Sequence, residues 1–326
     1  MATRTDWRRL HGDALAGRRV LVTGGAGFIG SHLVGALTQL AAKVVVVDDL
    51  STGHETNIPS SVELIRKSIT DPSIATSFAN VEYVFHQAAM ASVPLSIEKP
   101  REFFEVNVGG TLNVLSAAAK TQAKRVIFAA SSSAYGDSET LPKTESMPPI
   151  PLSPYAASKV AGEALMRAWA NCYAIDTVSL RYFNIFGPRQ SADSAYAAVI
   201  AAFAKAILAG KRPTIFGDGE QSRDFTYVDN AVHANLLAAR ATQPLRGDIV
   251  NVACAGRVSL NELAKRMGEL LGRTDLSPVY QPSRAGDVRH SLADLSRARS
   301  VLGYEPVVSF LDGLRETVDW YRATAS

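Results

Sequence analysis

The sequence predicts an α/β fold, a doubly wound parallel sheet carrying a smaller C-terminal α/β domain. Three observations predict it. Apolar strand-like runs alternate with helical segments from Arg19 onward. Glycines at 24, 27 and 30 stand between the first strand and the first long helix, and the second strand stops at Asp48-Asp49.

Taken in order, residues 1–18 read as a polar lead-in with a short helix through Trp7 and Leu10. Val20-Leu21-Val22 is an apolar strand, followed by the glycine loop and a helix to about Leu40. Val44 to Val47 is a second buried strand, with further strands at Val62–Ile65, Tyr83–His86 and Val126–Ala129. A long helix is expected over Arg101–Thr121 and another from Ser153, before a strand at Val178–Phe183. The alternation then loosens. Tyr196–Leu208 is Ala-rich and helical, Pro213–Phe216 a short strand, and Gly217-Asp218-Gly219 a turn. A helix over Tyr227–Ala241, a strand at Ile249–Val252, and helices over Leu260–Leu271 and Phe310–Tyr321 complete the chain. No repeat or low-complexity linker interrupts it, so the second domain is expected to fold back on the first with a cleft between them. The expected division is 1–183 for a dinucleotide, with 226–258 returning to that unit, and 184–326 mostly for substrate.

Composition narrows the partners. A net charge of +3 over 326 residues, with no Lys/Arg block, argues against nucleic acid as a main ligand. No run approaches the ~18 apolar residues that span a bilayer, and the N-terminus lacks the apolar core of a signal peptide. Cys172 and Cys254 lie in unrelated apolar segments and read as buried free thiols. A soluble, cytoplasmic protein without a metal site is expected.

The motif Gly24-x-x-Gly27-x-x-Gly30 has the mechanics of a Rossmann phosphate loop. Glycines let the backbone turn sharply and let a pyrophosphate reach the helix N-terminus, where free N–H groups and the dipole favour anions. Phe28 and Ile29 would pack under the loop with their amides toward phosphate. Asp48, eighteen residues beyond Gly30, can accept hydrogen bonds from both adenosine ribose hydroxyls and would repel a 2′-phosphate. NAD is therefore favoured over NADP.

The second chemical motif is Ser153-Pro154-Tyr155-Ala156-Ala157-Ser158-Lys159. Ser153 can cap a helix and Pro154 suits its first turn. Tyr155 and Lys159, four apart, share one helical face, and a neighbouring cation is expected to lower the phenol pKa from about 10. Such a tyrosine can take a proton from a sugar hydroxyl. The spacing alone is also that of an ordinary amphipathic surface helix.

Joined to the rest of the chain, these motifs resemble the extended short-chain dehydrogenase/reductase family and, within it, the NAD-dependent UDP-hexose 4-epimerases. The marks are Thr23-Gly24-Gly25-Ala26-Gly27-Phe28-Ile29-Gly30, His86-Gln87-Ala88-Ala89, Asn107 before Gly110-Thr111, and Ser131-Ser132-Ser133-Ala134-Tyr135-Gly136. Tyr155-x-x-x-Lys159, Leu180-Arg181-Tyr182-Phe183-Asn184, Arg223-Asp224-Phe225 and Arg284-Ala285-Gly286-Asp287 complete the set. The resemblance implies that Tyr155 removes the proton from the sugar 4-hydroxyl while a hydride leaves C4 for nicotinamide. Lys159 would hold the nicotinamide ribose and stabilise the phenolate, and Ser131, with Ser133 as a second candidate, would hydrogen-bond the reacting oxygen. The keto sugar would turn over in the pocket and take the hydride back on its other face, leaving NAD regenerated.

The same resemblance carries further cofactor contacts to Asp49, Ser51, Thr52 and Gly53 after the second strand, and to Ser68 and Ile69 near adenine. It also carries them to Gln87, Ala88, Ala89, Asn107 and Phe183. Ser68 departs from the acidic residue usual there, which weakens the expected grip on the adenine amine. For UDP it implies Asn184 and Arg223 with Arg284 on the diphosphate, Asp287 on the ribose, and Ala198, Val199 and Phe216 lining the nucleotide site. Ser291 matches a gate that is bulky in relatives restricted to non-acetylated sugars; a small residue leaves room for a 2-acetamido group. UDP-GlcNAc/UDP-GalNAc and UDP-Glc/UDP-Gal are the expected pairs, the acetylated pair preferred. Related dehydratases carry Asp-Glu after the position of Ser131, and decarboxylases a glutamate; this chain has Ser132-Ser133. The rival readings are a UDP-glucuronate 4-epimerase and a non-catalytic NAD(H)-binding regulator. A homodimer through the helices at 101–121 and 153–173 is expected by analogy.

Overall fold

Short apolar strands buried on both faces build the sheet, as parallel strands covered by helices require. The structure, a computed structural model, describes residues 5–192, 198–283 and 288–324. Six strands follow one another: β1 (Arg19–Thr23), β2 (Lys43–Asp48), β3 (Glu63–Arg66), β4 (Tyr83–His86), β5 (Arg125–Ser131) and β6 (Asp176–Tyr182). Four short strands then lie outside the sheet: β7 (Ile185–Phe186), β8 (Thr214–Phe216), β9 (Ser222–Arg223) and β10 (Thr226–Tyr227). The chain returns with β11 (Asp248–Val252), giving seven parallel strands in the order β11-β6-β5-β4-β1-β2-β3 among the described residues. The order reverses between β1 and β4, so the carboxyl ends of those strands open the crevice where ligands bind in such sheets.

Helices cover both faces. On one side α2 (Phe28–Gln39) packs with α8 (Val228–Arg240) and α10 (Ser296–Leu302) over a core that includes Val22, Val46, Ile127, Leu180 and Val250. The lead-in helix α1 (Trp7–His11) joins that layer through Trp7, which is fully buried. The other side carries α5 (Gly110–Lys120) and α6 (Pro154–Cys172) over Val84, Val126 and Phe128. Short helices α3 (Val93–Glu98) and α4 (Pro100–Phe104) lead into it. A third core joins α7 (Val199–Leu208), α9 (Leu260–Leu271) and α11 (Phe310–Thr324) around Phe203, Ile215 and Phe225. Two further strands, β12 (Val258–Ser259) and β13 (Val279–Gln281), pair with β9 and β8.

Helix α6 starts where the sequence placed it: Ser153 Oγ accepts from Ala156 N at 3.2 Å and Pro154 opens the first turn. Its close approach to β5 depends on Gly162, where a Cβ would lie 2.5 Å from the Phe128 ring. Two expectations are corrected. The helix expected over 101–121 is broken by a wide π turn at Glu105–Gly109, a distortion typical of functional positions, here carrying Asn107. Cys172 is exposed rather than buried, because α6 ends there beyond the sheet; Cys254 is half-buried. Among the described residues no helix is long and apolar enough to cross a membrane, and no cluster of three metal-ligating side chains occurs.

Candidate active site

The loop between β1 and α2 is shaped for close approach. Gly24 has φ 69°, and a Cβ there would lie 2.7 Å from Ala88 Cα; one on Gly30 would lie 2.0 Å from Gly24 O. Gly27 caps α2 without a side-chain hydrogen bond, which leaves first-turn amides to an anion. Phe28 and Ile29 begin that helix and pack toward the third core. Asp48 Oδ2 accepts from Ala26 N at 2.9 Å and Oδ1 from Leu50 N at 2.8 Å. Each oxygen keeps acceptor capacity for a ribose hydroxyl. Asp49 holds the next turn through Ser51 N at 3.0 Å; Ser51 and Thr52 are exposed and Gly53 packs on Ala26. Ser68 Oγ sits 2.9 Å from Thr70 Oγ1, and Ile69 is buried. The glycine cradle, uncapped helix start and acidic strand end fit a dinucleotide.

Two expected cofactor contacts have partners within the protein. Gln87 donates to Asn235 Oδ1 at 3.1 Å and accepts from Tyr182 OH at 3.2 Å, so its amide is committed within the protein. Phe183 is fully buried against the Tyr135 ring at 5.9 Å. Ala88 and Ala89 remain half-buried at the end of β4.

The start of α6 lies over the carboxyl end of β5. The Tyr155 hydroxyl faces Ser131, which favours its ionised form, and Ser131 Oγ accepts from Ser133 N at 3.2 Å and Ser133 Oγ at 2.9 Å. Lys159 Nζ donates to Ala129 O at 2.8 Å and stands 6.0 Å from the Tyr155 ring centroid. The expected depression of the Tyr155 phenol is corrected. Desolvation in the site raises its pKa, and the opposing influence is the Ser131 hydroxyl rather than Lys159. Desolvation also lowers the Lys159 ammonium to about 8, against the pull of Glu163 one turn further along.

Glu163 was not singled out from the sequence, although its i+4 spacing from Lys159 was a readable signal. Both its oxygens accept at 2.7 Å from Arg181 of β6, and that guanidinium lies 4.6 Å from the Tyr135 ring centroid. Tyr135 OH in turn donates to Asn251 Oδ1 at 2.6 Å.

The second half of the site is built around Asn184, which leaves β6 with φ 39°. Its Nδ2 donates to Asp224 O at 3.1 Å and to Ser291 Oγ at 3.2 Å, bringing two expected substrate residues together. Asp224, missed as an individual residue, is fully buried and accepts from Cys254 N at 3.1 Å and Ala293 N at 3.2 Å. Burial pushes its carboxyl up to about 6. The segment holding Ser291 is stitched to the chain after Tyr135: Lys143 N donates to Leu292 O at 2.7 Å and Asp294 N to Lys143 O at 2.9 Å. Arg223 donates to the Ser222 and Arg289 carbonyls, each at 3.1 Å. Desolvation and the charges of Arg257, Arg289 and Arg223 together hold His290 below its ordinary range, which marks a basic cluster. Ala198 caps α7, Val199 begins it, and Phe216 ends β8. Arg284, Asp287 and Tyr196 lie outside the described residues.

Comparison with known proteins agrees with this geometry. Residues 20–253 match the NAD dependent epimerase/dehydratase family. The chain is 39% identical over 313 residues to the UDP-glucose 4-epimerase of Mycolicibacterium smegmatis, covering 93% of this chain and 98% of that one. Among solved structures it is similar to the UDP-N-acetylglucosamine 4-epimerase of Methanobrevibacter ruminantium in complex with UDP-N-acetylmuramic acid. That match has a TM-score of 0.91 at 39% identity, over 95% of this chain and 99% of that one. The UDP-glucose 4-epimerase of Thermus thermophilus in complex with NAD superposes with a TM-score of 0.85 at 36% identity, over 93% and 99% of the two chains. The chain belongs to the NAD-dependent epimerase/dehydratase family.

Proposed function

We propose that the protein catalyses reversible C4 epimerisation of UDP-hexoses, with UDP-GlcNAc/UDP-GalNAc preferred over UDP-Glc/UDP-Gal. The observation that carries this reading is the placing of Tyr155 beside Ser131 at the end of β5, with Lys159 one turn along α6 and its Nζ 6.0 Å from the Tyr155 ring centroid. Tyr155 takes the proton of the sugar 4-hydroxyl and returns it after the sugar has turned. Bound NAD supplies the acceptor and donor of the C4 hydride. Ser131 stays hydrogen-bonded to the reacting oxygen, Ser133 holds Ser131, and Lys159 orients the nicotinamide ribose. Ser132-Ser133 follow Ser131, so the site lacks the carboxylate pair that eliminates water, and the keto sugar has reduction as its way out.

The grip on UDP is assigned to Asn184, Arg223, Arg284 and Asp287, with Ala198, Val199 and Phe216 around the base. Residues 1–183 with 226–258 would hold NAD, and the remainder of 184–326 the nucleotide sugar. The acetylated preference rests on Ser291, a small side chain 8% exposed and hydrogen-bonded to Asn184. A bulky residue there would crowd a 2-acetamido group.

Incubation with UDP-GlcNAc, UDP-glucose and UDP-glucuronate separately, with products read by proton NMR, tests the reaction. Epimerised hexosamine is expected as the main product, and conversion of the glucuronate alone would refute the reading. Ser291→Tyr should lower kcat/KM for UDP-GalNAc by about tenfold or more while sparing UDP-galactose. Unchanged UDP-GalNAc turnover would end the gate idea.

A cytoplasmic homodimer is part of the proposal. Phe104, Leu112 and Tyr173 are large apolar side chains exposed on the segments expected to pair, and Ile97 is exposed beside them on α3. The cysteines are free, and Cys172 is exposed, which suits a reducing compartment.

A further inference from the structure

We infer that His86 is a positioning residue for Tyr155: as its Nε2–H tautomer it is the middle link of a hydrogen-bond chain from the end of β1 to the first turn of α6. The inference rests on the reading of Tyr155 as the proton-transfer group. The geometry is a series of contacts, buried in its middle and part-buried at its two ends. Ala88 N donates to Thr23 Oγ1 at 3.3 Å, and Thr23 Oγ1 lies 2.7 Å from His86 Nδ1. His86 Nε2 lies 2.9 Å from Thr111 Oγ1, which donates to Asn107 O at 2.5 Å. Asn107 Nδ2 donates to Ser158 Oγ at 2.9 Å, and Ser158 Oγ donates to the Tyr155 carbonyl at 2.7 Å.

Proton counting fixes every direction. A carbonyl can only accept, so the single hydroxyl proton of Thr111 is used on Asn107 O. His86 Nε2 must then be the donor to Thr111. The imidazole is neutral, because burial and the Lys159 charge push its pKa down to about 3, so Nδ1 is the acceptor. Thr23 therefore donates to Nδ1 and accepts from Ala88 N with a remaining lone pair. The chain has one polarity along its whole length. It also fastens the π turn, since Asn107 pairs with Met90 through Met90 N at 2.8 Å and Met90 O at 3.1 Å. The consequence is mechanical. Thr23 and Ala88 border the glycine loop, and Tyr155 borders the sugar. Linking them sets the tyrosine against the cofactor cradle, where a displacement near 1 Å can cost about two orders of magnitude in rate.

Nitrogen-15 NMR of histidine-labelled holoenzyme tests the chain, with His86→Gln identifying the His86 signals by their loss. A protonated Nε2 and a bare Nδ1 are expected; an Nδ1–H tautomer or an imidazolium would overturn the inference. Thr111→Val keeps shape and removes the hydroxyl. It should lower kcat about tenfold or more with KM for the UDP-hexose and bound NAD nearly unchanged, and Thr111→Ser should restore kcat. A folded Thr111→Val enzyme with wild-type kcat, or one whose loss is all in KM, would also overturn it. Failure of the underlying reading is separate: Tyr155→Phe would then retain turnover while the tautomer result stood.

Discussion

Replacing Glu163 by Gln should damage both stability and the alkaline side of the activity profile. The wild-type pair is bidentate, with side-chain exposures of 2% for Arg181 and 4% for Glu163, so Glu163→Gln strands a guanidinium in the core. Breaking one partner of a buried pair costs about 3–5 kcal/mol. With an unfolding entropy of ~2.1 cal/mol/K per residue, 326 residues give about 0.7 kcal/mol/K, and the loss becomes a Tm drop of about 6 °C. The kinetic effect has a different origin. Glu163 supports the Lys159 ammonium against desolvation, and even with that support the group sits down at about 8. Without the carboxylate the ammonium loses its proton at lower pH, so kcat/KM should begin its alkaline fall earlier. Thermal unfolding near neutral pH and a rate profile from about pH 6 to 9 read the two effects. Replacing both partners by methionine should cost less stability than Glu163→Gln alone, since no unpaired charge remains. A Tm within about 1 °C of wild type together with an unmoved alkaline limb would refute the reasoning.

Asp48→Ala should reduce the NAD(H) released on denaturing purified protein by about tenfold or more, because it removes the ribose acceptor and frees the Ala26 and Leu50 amides. Unchanged retention would sink Asp48 as the adenosine ribose ligand. Ser131→Ala removes the hydroxyl that opposes the raised Tyr155 pKa. It should lower kcat about a hundredfold and move the acid limb of kcat/KM to higher pH, and a rate within twofold of wild type would remove Ser131 from the chemistry.

What could be read from the sequence followed a physical divide. Local signals survived well: Ser153 caps α6 as expected, β4 spans Tyr83–His86, and α9 spans Leu260–Leu271. The glycine loop was legible because its requirement is absolute; nothing but hydrogen fits at Gly30. Effects that depend on distant segments were not. The break at Glu105–Gly109 reflects the pairing of Asn107 with Met90 and Ser158, contacts that helical periodicity does not encode. The Tyr155 pKa was misjudged for a related reason. Spacing puts Lys159 on the same face, but only the fold shows Nζ turned to the Ala129 carbonyl. Asp224, inside a motif already noticed, needed the folded chain before its grip on residues 254 and 293 could be seen.

The resting electrostatics of the site follow from one opposition. Desolvation disfavours both ionised forms, raising the Tyr155 phenol and lowering the Lys159 ammonium. The chain answers with one support for each: Ser131 favours the phenolate, and Glu163 favours the ammonium. The two supports come from different elements, the end of β5 and the next turn of α6, and neither contacts the other's client directly in the hydrogen bonds described above. Their effects should therefore be close to additive in the double variant Ser131→Ala/Glu163→Gln, one limb of the pH profile moving with each. A Tyr155 pKa that is not strongly depressed suits a reaction with no net redox change. The same phenol must give back the proton it removes, and a strongly depressed pKa would make the return step the slower one.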